Sequence, residues 1–145
     1  MTDLTKYRLE VAKERIESSK LELDIGHFRI SITHSYYAIF NSARALLAEN
    51  EIDFKKHSAV ISYFRRNYIK TKIFEDKYSD YIGRAFDLRN ICDYEDFVIA
   101  SKEEAENQHL HAVEFYETIK NFLKFWRVQN NAAKRISVAD TANFI

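Results

Sequence analysis

The sequence predicts an all-α fold, an up-and-down bundle of about five helices. Three observations carry that expectation. Proline is absent and glycine occurs only at Gly26 and Gly83, so the two residues that most often interrupt helices are nearly missing. Hydrophobic residues make up 46% of the chain and charged residues 30%, the balance of a core within a solvated shell. Apolar residues recur at steps of three and four in five separate runs, and each run therefore has one face to bury. At 145 residues the chain suits one helical domain, expected over 1–127 and followed by a polar tail at 128–145.

The first run, 4–24, sets Leu4, Tyr7, Val11, Ala12, Ile16 and Leu23 among alternating Lys, Arg and Glu, with Gly26 standing where a C-terminal cap is wanted. From about 28 to 49, Phe28, Ile32, Tyr36, Ile39, Ala43 and Leu46 form a stripe widened by Ile30, Tyr37, Phe40 and Leu47. A stripe that broad places the second helix centrally, contacted on two sides. Asn50 ends it, and Asp53 is the expected cap of a short basic third helix carrying Val60, Ile61, Phe64 and Tyr68 up to about residue 70. Tyr78, Ile82, Ala85, Leu88 and Cys92 mark the fourth. "SKEE", Ser101 to Glu104, reads as a capping box opening a fifth helix of about 27 residues, with Ala105, His109, Ala112, Tyr116, Ile119, Leu123 and Trp126 on one face. After Arg127 periodicity fades, although Ile136, Val138, Phe144 and Ile145 offer apolar groups that could dock.

Charge and cysteine usage narrow the classes. The 22 basic and 22 acidic side chains cancel, so attraction to nucleic acid or an anionic membrane must come from a local patch. Cys92 is the only cysteine, which rules out an internal disulfide and a cysteine zinc cluster and fits a reducing, cytoplasmic setting. The first residues are charged throughout, and no segment approaches the ~20 apolar residues of a membrane span, so neither export nor membrane insertion is expected.

No Gly-rich phosphate loop, HExxH pair, EF-hand loop or GxSxG element is present, which argues against the enzymes that depend on them. His109 and His111 lie two apart on a helix and face different sides, a poor arrangement for sharing a metal. No metal or cofactor is expected. "FKKHSAVISYFRRNYIKTK", 54–72, concentrates Lys55, Lys56, Arg65, Arg66, Lys70 and Lys72 without an acid, interleaved with Tyr63, Phe64 and Tyr68. Such a segment reads either as a phosphate-binding surface with aromatic faces for bases, or as a solvated helix face whose rings belong to the core.

"RNICDYED", 89–96, crowds charges onto the end of the fourth helix. Arg89 and Asp93 are four apart and can pair across one turn, and Asp93 or Asp96 can cap the next. On physics alone this is first a structural ion pair and only then half of an active site.

Three segments taken together add a resemblance. "SITHSYYAIFNSARALLAEN" (31–50), "KKHSAVISYF" (55–64) and "RNICDYED" (89–96), in this order and followed by the long last helix, resemble the HEPN superfamily over about residues 5–127. More narrowly, they look like its small stand-alone prokaryotic branch, which reads R-x-x-x-D-Y at the fourth element. The resemblance implies an all-α bundle, a homodimer, and pairing with a minimal nucleotidyltransferase as a toxin–antitoxin system. Active members of the superfamily are metal-independent ribonucleases with an R-x(4–6)-H motif. There the histidine moves the proton of the attacking ribose hydroxyl, and the arginine stabilises charge on the phosphorane. In this chain Asp93, Tyr94 and Glu95 stand four to six residues beyond Arg89, and none is a histidine. A carboxylic acid is ordinarily ionised at neutral pH and a phenol is a weak base, so the resemblance leaves catalysis open. "RISITH", Arg29 to His34, is a literal match to the motif in the wrong helix, at a frequency expected by chance.

The leading expectation is thus an RNA- or nucleotide-binding, toxin-like partner of a nucleotidyltransferase. If it cleaves RNA, Arg89 holds phosphate, Asp93 and Tyr94 position it, and His57 or His34 carries the proton. The alternative is a catalytically silent module that uses the same bundle to dimerise or bind a protein.

Overall fold

Each apolar stripe becomes a helix, and the widest becomes the centre. The computed structural model describes the backbone of residues 1–143 and the side chains of residues 1–126. It contains α1 (Asp3–Asp24), α2 (Phe28–Glu49), α3 (His57–Phe64), α4 (Lys77–Tyr94) and α5 (Lys102–Asn143), with a π-helical turn, Arg65–Ile69, continuing α3. The chain is an all-α bundle. Among the described residues no helix is long and apolar enough to cross a membrane.

α2 packs against α1, α4 and α5, and Tyr36, Ile39, Ala43 and Leu46 along it are fully buried. Small residues let α1 approach closely. Ser19, Ser31 and Ser35 are sealed between the two helices, where Ser19 Oγ lies 2.6 Å from Ser35 Oγ and Ser31 Oγ donates to the Ser19 carbonyl at 2.8 Å. Every hydroxyl there has a partner, as burial demands. The α1–α2 turn needs Gly26, whose φ of 84° lies in the left-handed region.

Two boundaries differ from the sequence expectation. Asp53 does not cap α3: its carboxylate is held by Arg8 at 3.0 Å and Arg44 at 3.3 Å, and it accepts the Phe54 N–H at 2.9 Å. The helix starts four residues later, at His57, without a side-chain cap. α5 runs for 42 residues rather than about 27, because the stretch after Arg127 holds no proline or glycine to stop the backbone. The proposed docking of Ile136, Val138, Phe144 and Ile145 lies outside the described side chains. Only half of the capping box forms. Ser101 Oγ accepts the Glu104 N–H at 3.1 Å, while the Glu104 carboxylate turns away to Arg84 at 2.8 Å.

Candidate functional site

The site is built where the end of α4 crosses α2. Arg89 stands one turn before the last residues of α4, and α2 offers Thr33, Tyr36 and Tyr37 on the facing side. The Arg89 Nε lies 3.0 Å from Asp93 Oδ2, Nη1 donates to Asn90 Oδ1 at 3.2 Å, and Nη2 donates to Tyr37 Oη at 2.7 Å. The Nε–H is not aimed along the line to Asp93, so that contact is an ion pair without a hydrogen bond. The guanidinium carbon also sits 5.6, 5.4 and 5.2 Å from the ring centres of Tyr36, Tyr37 and Tyr94, which is cation–π range. Burial opposes the Arg89 charge, but Tyr37, Tyr94 and Asp93 outweigh it and hold its pKa above the ordinary arginine value.

Asp93 is shared. Its second oxygen accepts from Thr33 Oγ1 at 2.8 Å, and the neighbouring Cys92 carbonyl accepts from Arg29 Nη2 at 2.9 Å. The last turn of α4 is therefore tied to α2 through three residues, and Arg89 points both across its own turn and into the α2–α4 junction. Tyr94 is exposed at 71%.

His57 comes from the start of α3. Its ring lies on Phe40 with centres 4.0 Å apart and planes 28° apart, and on Tyr36 at 5.9 Å. The buried Tyr36 hydroxyl meets Nδ1 at 2.7 Å and has no other described partner. The phenol proton needs an acceptor, so Tyr36 donates to Nδ1 and the neutral ring carries its own hydrogen on Nε2. Burial lowers the His57 pKa, and the positive charges of Arg89 and Arg44 lower it further. Burial likewise raises the Tyr36 phenol pKa, with Arg89 opposing. The site thus contains a permanent cation and a neutral imidazole beside it.

His34 is placed differently. Its Nδ1 lies 3.0 Å from Arg15 Nη1, and the Arg15 guanidinium stands 4.9 Å over the Tyr37 ring. One chain of contacts from it to Arg89 runs through Arg15 and Tyr37. Arg29 and His34 both line a groove of about 670 Å³ with Thr33, Asp93 and the apolar Ile30 and Ile99, but Arg29 is occupied by the end of α4.

All six cations of the basic stretch are exposed, but two of them are engaged by neighbouring residues. Lys55 and Lys56 are exposed beside His57, Arg66 is exposed on the π-helical turn, and Lys70 is exposed just after it. Arg65 instead crosses α4, donating to Ser79 Oγ at 2.9 Å and lying where a side chain on Gly83 would collide with it. Lys72 pairs with Asp76 at 3.2 Å. Of the interleaved rings, Phe64 and Tyr68 are buried at 0% and 6% exposure. These two cannot stack bases, because the apolar face of α3 is spent on the core.

His109 meets Ser19 of α1 at 3.2 Å, while His111 stacks on Tyr81 of α4 at 4.0 Å, so the two face different helices. Sequence reading missed Tyr37 and Arg44. Both lie in α2, where Tyr37 counts as part of the apolar stripe and Arg44 carries no local signal of its own.

Four histidines, His34, His57, His109 and His111, have pKa values lowered chiefly by burial. The unfolded chain binds their protons near pH 6.5 and the folded chain only at lower pH, so stability is complete above about pH 6.5 and falls as pH drops below it. Urea midpoints should decrease from pH 7.5 to 5.5 and stay level from 7.5 to 8.5; a higher midpoint at 5.5 would contradict this.

A family model described as "HEPN domain" matches residues 5–122. The chain is 33% identical over 116 residues to a protein of Methanocaldococcus jannaschii named "Putative toxin", covering 80% of this chain and 86% of that one. A second protein of the same organism and the same printed name is 31% identical over 122 residues, covering 80% and 83%. A "UPF0332 protein" of Thermotoga maritima is 26% identical over 121 residues, covering 83% and 92%.

Proposed function

The chain belongs to the HEPN domain family, and from that premise we propose that it is a toxin-like protein that binds RNA or a nucleotide through phosphate at the Arg89 cluster. One observation carries the reading. Arg89, a permanent cation, and the neutral His57 imidazole meet at the same aromatic ledge, with the Nε2–H of His57 left to donate outward. A guanidinium fork beside a neutral N–H donor is chemistry suited to phosphate oxygens. The likeness to proteins named as toxins supports the toxin-like role. The family resemblance further points to a homodimer and to a nucleotidyltransferase as the second component of the system.

A metal-independent ribonuclease is the second reading, favoured by the lowered pKa of His57 in the field of Arg89. Cleavage needs the other neutral tautomer, in which Nε2 gives its proton to solvent, Nδ1 takes one up and donates it to Tyr36 Oη, and the freed Nε2 lone pair is the base; the arrangement in which Tyr36 donates to Nδ1 suits binding more directly.

The test uses purified protein and a fluorescein-labelled single-stranded RNA. Binding at micromolar protein that weakens steeply with added salt is the expected result. No change in anisotropy at low salt would sink the reading. Shortened RNA on a gel in the presence of a chelator would promote the ribonuclease version.

A further inference from the structure

The Arg89 cluster has a counterpart on the other side of His57. Two turns along α2 from Tyr37, Arg44 sends its guanidinium over the Phe40 ring, 5.8 Å from the centre. Phe40 and Tyr36 are stacked neighbours at 5.7 Å, His57 lies on both, and Arg89 stands over Tyr36. The order along the ledge is thus Arg44, Phe40 under His57, Tyr36, Arg89. Both arginines act on the His57 ring electrostatically.

Arg44 is the less well satisfied of the two. Its described acceptor is Asp53, reached by Nη2 alone at 3.3 and 3.4 Å, and its buried Nε has no partner. Asp53 is committed elsewhere. Arg8, whose side chain is only 7% exposed, donates to the same carboxylate at 3.0 Å and to the Arg44 carbonyl at 3.0 Å. A buried arginine cannot give up its counterion without leaving an unpaired charge behind. Asp53 therefore stays with Arg8, and Arg44 is the surplus cation. Among the described residues the carboxylates paired with Arg8, Arg44 and Arg89 are Asp53 and Asp93, with exposed Lys55 and Lys56 in the loop before His57.

We propose that Arg44 is a second phosphate-binding residue, which with Arg89 grips neighbouring phosphates of one RNA strand on either side of His57. The inference rests on the RNA-binding reading above and narrows it. The ligand is a single strand rather than a mononucleotide, because one phosphate cannot occupy both ends of the ledge. Phe40 and Tyr36 lie beneath His57 and are buried, so recognition is of backbone charge, and the site takes strands of any sequence. An anion at Arg44 also supplies the acceptors that its guanidinium lacks in the resting arrangement.

The experiment compares wild type, Arg44→Gln and Arg44→Lys by anisotropy on a labelled single-stranded RNA across a salt series, with inorganic phosphate as competitor. Arg44→Gln should weaken RNA binding about tenfold at low salt and flatten the salt dependence by about 0.7 in log–log slope, the share of one phosphate contact on a single strand. Arg44→Lys should restore the slope, since it restores the charge, and inorganic phosphate should compete less well against Arg44→Gln, which has lost one of the two phosphate sites, than against wild type or Arg44→Lys. Thermal melts of the three proteins should agree, because Arg8 keeps Asp53 paired. An unchanged affinity and slope in Arg44→Gln, with wild-type RNA binding intact, overturns this inference and leaves the RNA-binding reading standing. Wild type that binds no RNA overturns both. Should Arg44→Gln melt early, the slope of Arg44→Lys alone decides: a loss equal to that of Gln assigns Arg44 to structure and overturns the proposal.

Discussion

Arg89→Ala should abolish RNA binding at micromolar protein and lower the stability of the fold by about 2 kcal/mol. The stability term lies between two limits. An exposed ion pair contributes roughly 0–1 kcal/mol, and breaking a fully buried one costs roughly 3–5 kcal/mol; Arg89 and Asp93, at 13% and 29% side-chain exposure, fall between. The change also strips Tyr37 Oη of its donor at 2.7 Å and removes a cation from over three tyrosine rings. Asp93 keeps Thr33 as a partner, which limits the damage. Arg89→Lys separates the two roles. The lysine preserves charge but cannot bond Tyr37 and Asn90 and lie against Asp93 from one planar fork. It should recover part of the RNA affinity and little of the stability. Equilibrium denaturation and anisotropy on the same samples decide the matter. An alanine variant that is destabilised yet binds RNA normally per folded molecule would reduce Arg89 to a structural tie between α2 and α4.

Phe64→Ala should cost about 4 kcal/mol, a large share of the ~5–15 kcal/mol that holds a domain together, and lower the melting temperature by roughly 10–15 °C. Phe64 has no exposed surface. Its ring meets Phe115 at 5.3 Å and Tyr68 and Phe74 at 6.0 Å each, so its loss leaves a cavity among rigid rings that cannot close in. The result matters for function as well. Within the basic stretch this ring alternates with arginines as a base-stacking residue would, and the stacking reading predicts normal stability with weaker RNA binding. A melt unchanged from wild type would refute the core assignment.

The two residues mark a division that runs through the whole molecule. Helix positions were legible because a stripe at steps of three and four has only one way to be buried, and α2 falls on Phe28–Glu49 as its pattern requires. Gly26 was legible for the same local reason: a helix end needs a left-handed residue, and few others tolerate it. The start of α3 was not, because the carboxylate of Asp53 is drawn to Arg8, 45 residues away in sequence, and a long-range ion pair leaves no trace in local spacing. The end of α5 was misjudged because a helix backbone continues wherever nothing stops it, even after its apolar face has faded.

The candidate site divides in the same way. The all-α bundle, the family and the pairing of Arg89 with Asp93 could be read from residue order, because they rest on short-range periodicity or on ordered motifs. Which histidine stands near Arg89 depended on how the helices pack. His34 and His57 looked equivalent as candidates, yet α1 gives His34 to Arg15, while Tyr36 of α2 fixes the ring and tautomer of His57. Only the fold brought Arg44 to the ledge and left it the cation in excess. A charge becomes surplus through the partners its neighbours have already taken, and those partners come from α1 and from the loop before α3.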